Sequence, residues 1–207
     1  EGHRAGADAA KRAVEAAHKY GVEYLTLYAF STENWRRPKG EVTALMSLLR
    51  QFLIEKLNDI DKQGIRLRTI GRIHDLPLAV RRALKIAIER TQNNTQGQLI
   101  LALSYGGRAE IADAVRRIAD KCAKGEMSTK DVNEEAIAAH LYAPDVPDPD
   151  LMIRTSGEMR LSNFMLWQLS YAELYVTDTL WPDFAEDDFG AAIEAYQRRG
   201  RRFGGVG

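Results

Sequence analysis

The chain has 207 residues, and its 29 Lys+Arg balance 29 Asp+Glu to a formal net charge of zero. That balance argues against a general nucleic-acid binder, which carries a basic excess, and no stretch approaches the roughly 18–20 apolar residues of a membrane-spanning helix. The single cysteine, Cys122, rules out an intramolecular disulfide or a structural zinc site built on thiolates.

The elements alternate along the chain. Residues 7–20 are alanine-rich and predict a helix stopped by Gly21. Residues 22–30 are β-branched and aromatic and predict a strand, followed by a polar loop over 31–39. Residues 41–62 carry a helical apolar pattern through Val42, Leu45, Met46, Leu49, Phe52, Leu53, Leu57 and Ile60. A strand is expected over 65–70. A helix is expected from about Asp75, with Asp75 near the cap and Pro77 in its first turn, to Thr91. Residues 98–105 predict an apolar strand ending in Gly106-Gly107-Arg108, and 110–124 a helix that holds Cys122 partly buried, as in an intracellular chain. After a proline–acid loop over 145–150, Leu151-Met152-Ile153 reads as a strand. Residues 164–172 read as helical, 174–180 as a strand and 187–199 as a last helix.

This βα order predicts an α/β fold: one domain over 1–207, with a largely parallel central sheet flanked by helices. Three unusual loops, 31–39, 105–108 and 154–163, each follow a strand. Ligands of open α/β sheets bind at the carboxyl ends of the strands, so these loops are expected to gather on one edge.

The loop 154–163 is the richest of them, with Arg154, Thr155, Ser156, Gly157, Arg160 and Ser162. Guanidinium forks pair bidentately with phosphate oxygens, and small residues let backbone N–H groups approach an anion. A diphosphate site and a polar turn with surface ion pairs both fit these residues. The first loop sets Glu33, Asn34, Trp35, Arg36 and Arg37 behind Ser31 and Thr32, where Trp35 either borders a site or packs back for its area. Glu173, between apolar segments, suits either a Mg²⁺ ligand or a salt bridge. His3 precedes a helix, where an anion could meet it. The helix over 41–62, with Ala29 and Ala44 close in sequence, could line an apolar tunnel or form ordinary core; a tunnel beside an anion site would fit a prenyl diphosphate. There is no phosphate-binding Gly-x-x-x-x-Gly-Lys loop, no dinucleotide fingerprint, no nucleophile elbow and no His-Glu-x-x-His motif.

Taken in order, the blocks resemble the cis-prenyltransferases, bacterial undecaprenyl diphosphate synthases in particular. They are Gly2-His3-Arg4-Ala5-Gly6, Leu27 through Pro38, Tyr105-Gly106-Gly107-Arg108 and Ile153-Arg154-Thr155-Ser156-Gly157-Glu158. Arg160-Leu161-Ser162-Asn163-Phe164, Tyr171-Ala172-Glu173-Leu174-Tyr175, Trp181-Pro182-Asp183-Phe184 and Arg201-Arg202-Phe203-Gly204-Gly205 complete them. The resemblance implies condensation of isopentenyl diphosphate with an allylic diphosphate, usually farnesyl diphosphate. The product would be a long cis-polyprenyl diphosphate such as undecaprenyl diphosphate, the carrier lipid of cell-wall peptidoglycan synthesis.

By the same resemblance, Arg154, Arg160 and Ser162, with Leu161 between the last two, would hold the diphosphate of isopentenyl diphosphate. Glu173 would bind Mg²⁺, and Asn34 would take part in removing the proton. Ser31, Thr32, Glu33, Trp35 and Arg37 would shape the substrate site, with His3 near the reacting diphosphates. Arg201, Arg202 and Gly204 would approach the neighbouring site of a homodimer. A cytoplasmic location with transient membrane contact for product release would follow. Two departures stand out. The family's first strand and its Asp-Gly-Asn-Gly loop, whose aspartate binds Mg²⁺, precede the Gly-His block. The chain is therefore expected to be N-terminally incomplete and, alone, inactive or nearly so. A non-catalytic subunit of a heteromeric enzyme is the alternative. Met159 stands where many members carry histidine and is expected to have no binding role, since a thioether donates no hydrogen bond.

Overall fold

The computed structural model describes residues 2–199, with side chains from residue 5 onward. Five strands, β1 (Tyr24–Ser31), β2 (Ile65–Ile70), β3 (Gly97–Tyr105), β4 (Leu151–Arg154) and β5 (Glu173–Val176), are interleaved with helices. The helices are α1 (Gly2–Lys19), α2 (Lys39–Lys62), α3 (Leu78–Thr91), α4 (Gly107–Ala123), the short α5 (Glu134–Ala138) and α6 (Glu186–Gln197). Every strand pairing is parallel, as an alternating βα order requires.

The strands form two groups, β1-β3-β2 and β4-β5, and β1 does not pair with β4. A cavity of about 950 Å³ lies between them, lined by consecutive residues of both strands. The expected parallel sheet is therefore present in two parts, separated by that cavity.

β3 is the centre, buried from Leu99 through Tyr105. Its side chains alternate between two cores. Leu99, Leu101 and Leu103 join Phe30, Met46, Phe52 and Leu53 under α2 and α3. Ile100 and Ala102 join Tyr105 and Met165, with Tyr28, Tyr142 and Phe164 packed against them. Each fully buried Leu or Ile contributes about 1.5–3 kcal/mol relative to exposure. A third core joins α1 to the end of the chain through Ala16, Ala17, Phe184 and Phe189. Trp181 fastens that junction by donating Nε1 to the Gly6 carbonyl at 3.0 Å.

Two local expectations are corrected. Residues 164–172 form turns and a 3₁₀ segment, Gln168–Tyr171, rather than an α-helix. Ser162, Asn163 and Met165 have φ of 49°, 63° and 41°, a left-handed conformation that no α-helix accepts. At the start of α3, Pro77 is the cap residue; Asp75 instead accepts from Ser104 Oγ at 3.0 Å, within a separate 3₁₀ turn.

Candidate functional site

The three strand-end loops meet. The loop after β1 begins at Ser31, whose N–H donates to Asn34 Oδ1 at 2.9 Å and tightens a 3₁₀ turn over Thr32–Arg36. Trp35 crosses to the end of β3 and donates Nε1 to Ser104 Oγ at 2.9 Å. Its ring lies edge-on to Phe30, with centroids 4.8 Å apart. Glu33 Oε1 accepts from Asn163 Nδ2 at 2.9 Å, which joins the first loop to the last. Burial alone would raise the Glu33 carboxyl. The hydrogen bonds from Asn163, its own backbone, Ser31 and Thr32 outweigh that and hold it below its ordinary value, so it is ionised at neutral pH.

The approach is close because Gly106 and Gly107 have no side chains. A Cβ on Gly106 would lie 2.7 Å from both Asn163 Nδ2 and Thr32 Oγ1, and one on Gly107 would lie 2.8 Å from Leu166 Cγ. These residues therefore serve loop packing. The first amides of α4 are also engaged: Gly107 N–H donates to the Asn163 carbonyl at 2.7 Å and Arg108 N–H to Asn163 Oδ1 at 2.9 Å.

Arg154 ends β4 and, with Thr155, borders the cavity. Its Nε is buried and has no hydrogen-bond partner among the described residues. A buried, unpaired guanidinium donor is costly unless a ligand completes it. Downstream, Ser156 and Gly157 have φ of 67° and 64°, so left-handed residues bracket the segment that carries Arg160 and Leu161. Such strain persists where surrounding contacts hold it, and it concentrates at binding sites. Arg160 forms an exposed ion pair with Glu158, and Leu161 and Ser162 are exposed. An exposed pair of this kind opens to an incoming phosphate at small cost. Met159 is 82% exposed.

Beyond Arg154 the cavity is apolar. Leu45, Met46, Leu49 and Phe52 of α2 line it beside Ala29 of β1, whereas Ala44 does not and Ile54 is exposed. Asp148 and Asp150, which precede β4, border its other end. The cavity is thus bordered by a basic residue at one end and by acidic residues at the other.

The remaining expected residues are placed less centrally. Arg37 pairs with Glu41 at 2.6 Å on the surface. Glu173 opens β5, paired in register with Leu151 at the end of β4 remote from Arg154, and its Oε2 accepts from Arg199 Nη1 at 2.7 Å. Three residue steps along a strand are about 10 Å, so Glu173 stands apart from the gathered loops. Among the described residues no group of three or more His, Cys, Asp or Glu side chains converges as a metal centre. The side chain of His3, and Arg201, Arg202 and Gly204, lie outside the described residues. Asn163 is the residue that motif reading left without a role. Its only local signal is an asparagine where a left-handed turn is needed.

Known proteins resemble this chain in sequence and in fold. A family model described as "Putative undecaprenyl diphosphate synthase" matches residues 1–204. The isoprenyl transferase of Heliobacterium mobile is 52% identical over 205 residues, which are 99% of this chain and 79% of that protein. That of Geobacillus kaustophilus is 50% identical, over 99% of this chain and 80% of the relative. Among solved structures, lavandulyl diphosphate synthase from Lavandula x intermedia, in complex with dimethylallyl diphosphate, superposes with a TM-score of 0.95 at 37% identity, covering 98% of this chain and 88% of that one. A "probable undecaprenyl diphosphate synthase" from Campylobacter jejuni gives 0.85 at 36%, covering 97% and 92%.

Proposed function

We propose, since the chain belongs to the undecaprenyl diphosphate synthase family of prenyltransferases, that it binds isopentenyl diphosphate beside Arg154 and adds it to an allylic diphosphate, farnesyl diphosphate in the first instance. The product is a long cis-polyprenyl diphosphate of undecaprenyl type, a cell-wall carrier lipid. The observation that carries this reading is the large, mostly apolar cavity bordered by Arg154, whose buried Nε has no hydrogen-bond partner among the described residues. A diphosphate supplies the missing acceptor, and the α2 side of the cavity, with Leu45, Met46, Leu49 and Phe52, offers apolar surface to a prenyl chain.

In this reading Arg154 completes its hydrogen bonding on the diphosphate of isopentenyl diphosphate. Arg160 leaves Glu158 to clamp the same group, and Ser162 adds a hydroxyl donor. A new carbon–carbon bond forms as the allylic carbon–oxygen bond breaks, and the departing diphosphate takes the electron pair. Fixed positive charge stabilises that developing charge. One proton leaves the added unit and passes to the departing diphosphate, the base the reaction itself supplies, since an amide oxygen is too weak a base to keep it. Asn34 Oδ1 spends one lone pair on the Ser31 N–H and keeps a second that can face that proton. Apolar α2 side chains exclude water from the reacting carbon.

Mg²⁺ belongs to the proposal as an ion that Glu173 would hold, at the end of the β4-β5 pair remote from Arg154. The donor chemistry of Glu173 fits it, because Mg²⁺ typically takes one or two carboxylates together with water and phosphate oxygens; Arg199 would have to yield. A homodimer is supported by exposed Tyr171, just before β5, and Leu174 within it. Exposed Met159 and Leu161 would give transient membrane contact, and a cytoplasmic location completes the reading.

Isopentenyl diphosphate binding is the first test, by titration calorimetry with and without Mg²⁺, followed by incorporation of radiolabel onto farnesyl diphosphate. Saturable binding that inorganic diphosphate displaces is expected. A chain that binds neither diphosphate under either condition would falsify the assignment.

A further inference from the structure

Asn163 is the point at which all three strand-end loops are joined. Its Nδ2 donates to Glu33 Oε1 and its Oδ1 accepts from Arg108 N–H, each at 2.9 Å. Its carbonyl accepts from Gly107 N–H at 2.7 Å. The two amides belong to the first turn of α4, where a helix has no internal acceptor to offer. Asn163 therefore caps α4 from a distant part of the chain and, with the same side chain, holds the β1 loop through an ionised carboxylate.

The backbone explains why such a fastening is needed. Ser162 and Asn163 are consecutively left-handed, with φ of 49° and 63°. Asparagine tolerates this better than most residues, but a serine there is strained. Released from Glu33 and α4, the turn would relax, and Arg160 and Ser162 would lose their fixed place relative to Arg154. The bare backbone of Gly106 and Gly107 allows the fastening, since a Cβ on Gly106 would collide with Asn163 Nδ2 itself.

We propose that Asn163 is a positioning residue: it holds the turn that presents Arg160 and Ser162, so that the diphosphate of isopentenyl diphosphate meets a preformed loop. The role rests on the prenyl-transfer reading above. Its effect is preorganisation, because a loop already fixed before binding loses less freedom when the ligand arrives.

Titration calorimetry on the parent chain and on Asn163→Ala, Asn163→Asp, Glu33→Gln and the Asn163→Asp/Glu33→Gln pair tests this. Asn163→Ala is expected to weaken isopentenyl diphosphate binding about tenfold, the scale of one hydrogen bond to a charged group, while farnesyl diphosphate affinity stays within about twofold. Asn163→Asp keeps an acceptor for Arg108 N–H but sets a carboxylate against Glu33, so it weakens binding as well. On the Glu33→Gln background the same change restores a donor–acceptor pair of reversed polarity, and its penalty is expected to shrink. Amide exchange at Gly107 and Arg108 is expected to quicken in Asn163→Ala beyond any change in global stability. Parental isopentenyl diphosphate affinity in Asn163→Ala, equal losses for both substrates, or an Asn163→Asp penalty independent of residue 33 would each overturn the positioning role alone. A parent chain that binds neither diphosphate overturns the prenyl-transfer reading and this role with it.

Discussion

Trp35 Nε1 donates to Ser104 Oγ at 2.9 Å, and Ser104 passes a hydrogen bond on to Asp75 Oδ2 at 3.0 Å. The β1 loop, the end of β3 and the turn before α3 are thereby tied by one hydroxyl that is 1% exposed, on a residue with φ of 45°. Trp35→Phe keeps an aromatic face against Phe30 and loses the first bond. Chemical denaturation is expected to show a loss of about 1 kcal/mol. Ser104→Ala strands a donor and an acceptor together and should cost more, about 1–3 kcal/mol. Equal stability in both variants would show that this relay does not hold the loop.

The strand that faces core on both sides was legible because burial leaves a plain signal: Gln98 to Tyr105 reads as an apolar run, and Ile65–Ile70, with arginines between its apolar residues, is bounded by Gly64 and Gly71. The gathering of the loops was legible too, because parallel strands put successive carboxyl ends on one edge. What stayed hidden depends on partners remote in sequence. The apolar spacing of Phe164, Met165 and Leu169 reads as a helix, yet these side chains pack against β3 from a left-handed turn. Nothing local shows that Asp75 serves Ser104 rather than a helix cap, or that Trp35 packs back onto the core and is tied to β3. Glu173 looked equally suited to a metal or a salt bridge, and its partner, Arg199, lies 26 positions away.

Arg154 should divide binding from stability. Its Nε has no acceptor among the described residues, so the protein loses little when it is removed. Arg154→Ala is expected to leave the thermal midpoint unchanged or slightly higher, and to weaken isopentenyl diphosphate binding about 10–100-fold, the range for a charged hydrogen bond. Arg154→Lys should recover only part of the affinity, because an ammonium cannot reproduce the planar fork. A marked stability loss with unchanged affinity would make Arg154 a structural residue instead.

Gly107→Ala probes the close approach from the other side. The new Cβ would sit 2.8 Å from Leu166 Cγ and 2.9 Å from the Leu166 backbone nitrogen, and the backbone cannot swing away as a side-chain tip can. Overpacking of this kind costs about 1–3 kcal/mol. Because the displaced segment follows Asn163, isopentenyl diphosphate affinity should fall with stability. Calorimetry and thermal unfolding on one preparation give both, and a variant with parental values for each would contradict the packing described.

Glu173 and Arg199 test the metal proposal. If Glu173 serves Mg²⁺, Arg199 competes with the ion for the same carboxylate, whose Oε2 it holds at 2.7 Å. Arg199→Ala should then lower the Mg²⁺ concentration needed for half-maximal diphosphate binding, and Glu173→Gln should raise it. If the pair is only a surface ion pair, both changes alter stability by about 0–1 kcal/mol and leave the Mg²⁺ dependence where it was.

Asp113 gives the clearest acid response. Arg72 donates to both carboxylate oxygens at 2.9 Å, and the Tyr142 hydroxyl adds a third bond at 2.5 Å. The Arg72 hydrogen bonds lead in pulling the Asp113 carboxyl from its ordinary 3.8 down to about 2, against the opposing effect of burial. A carboxyl depressed in the folded state binds its proton more readily when the chain unfolds. Its contribution is therefore complete above pH 3.8 and is lost as the pH falls toward 2. The shift corresponds to about 1–2 kcal/mol after allowance for partial exposure. Urea denaturation of the parent should show that loss across this window, while Asp113→Asn should be weaker at neutral pH and flatter below pH 4. This cluster joins the end of β2 to α4 and to the segment before β4, and none of its hydrogen bonds to Asp113 comes from residues 154–163. Isopentenyl diphosphate affinity at neutral pH should therefore be unchanged in Asp113→Asn, which separates its role in stability from the binding role assigned to Arg154.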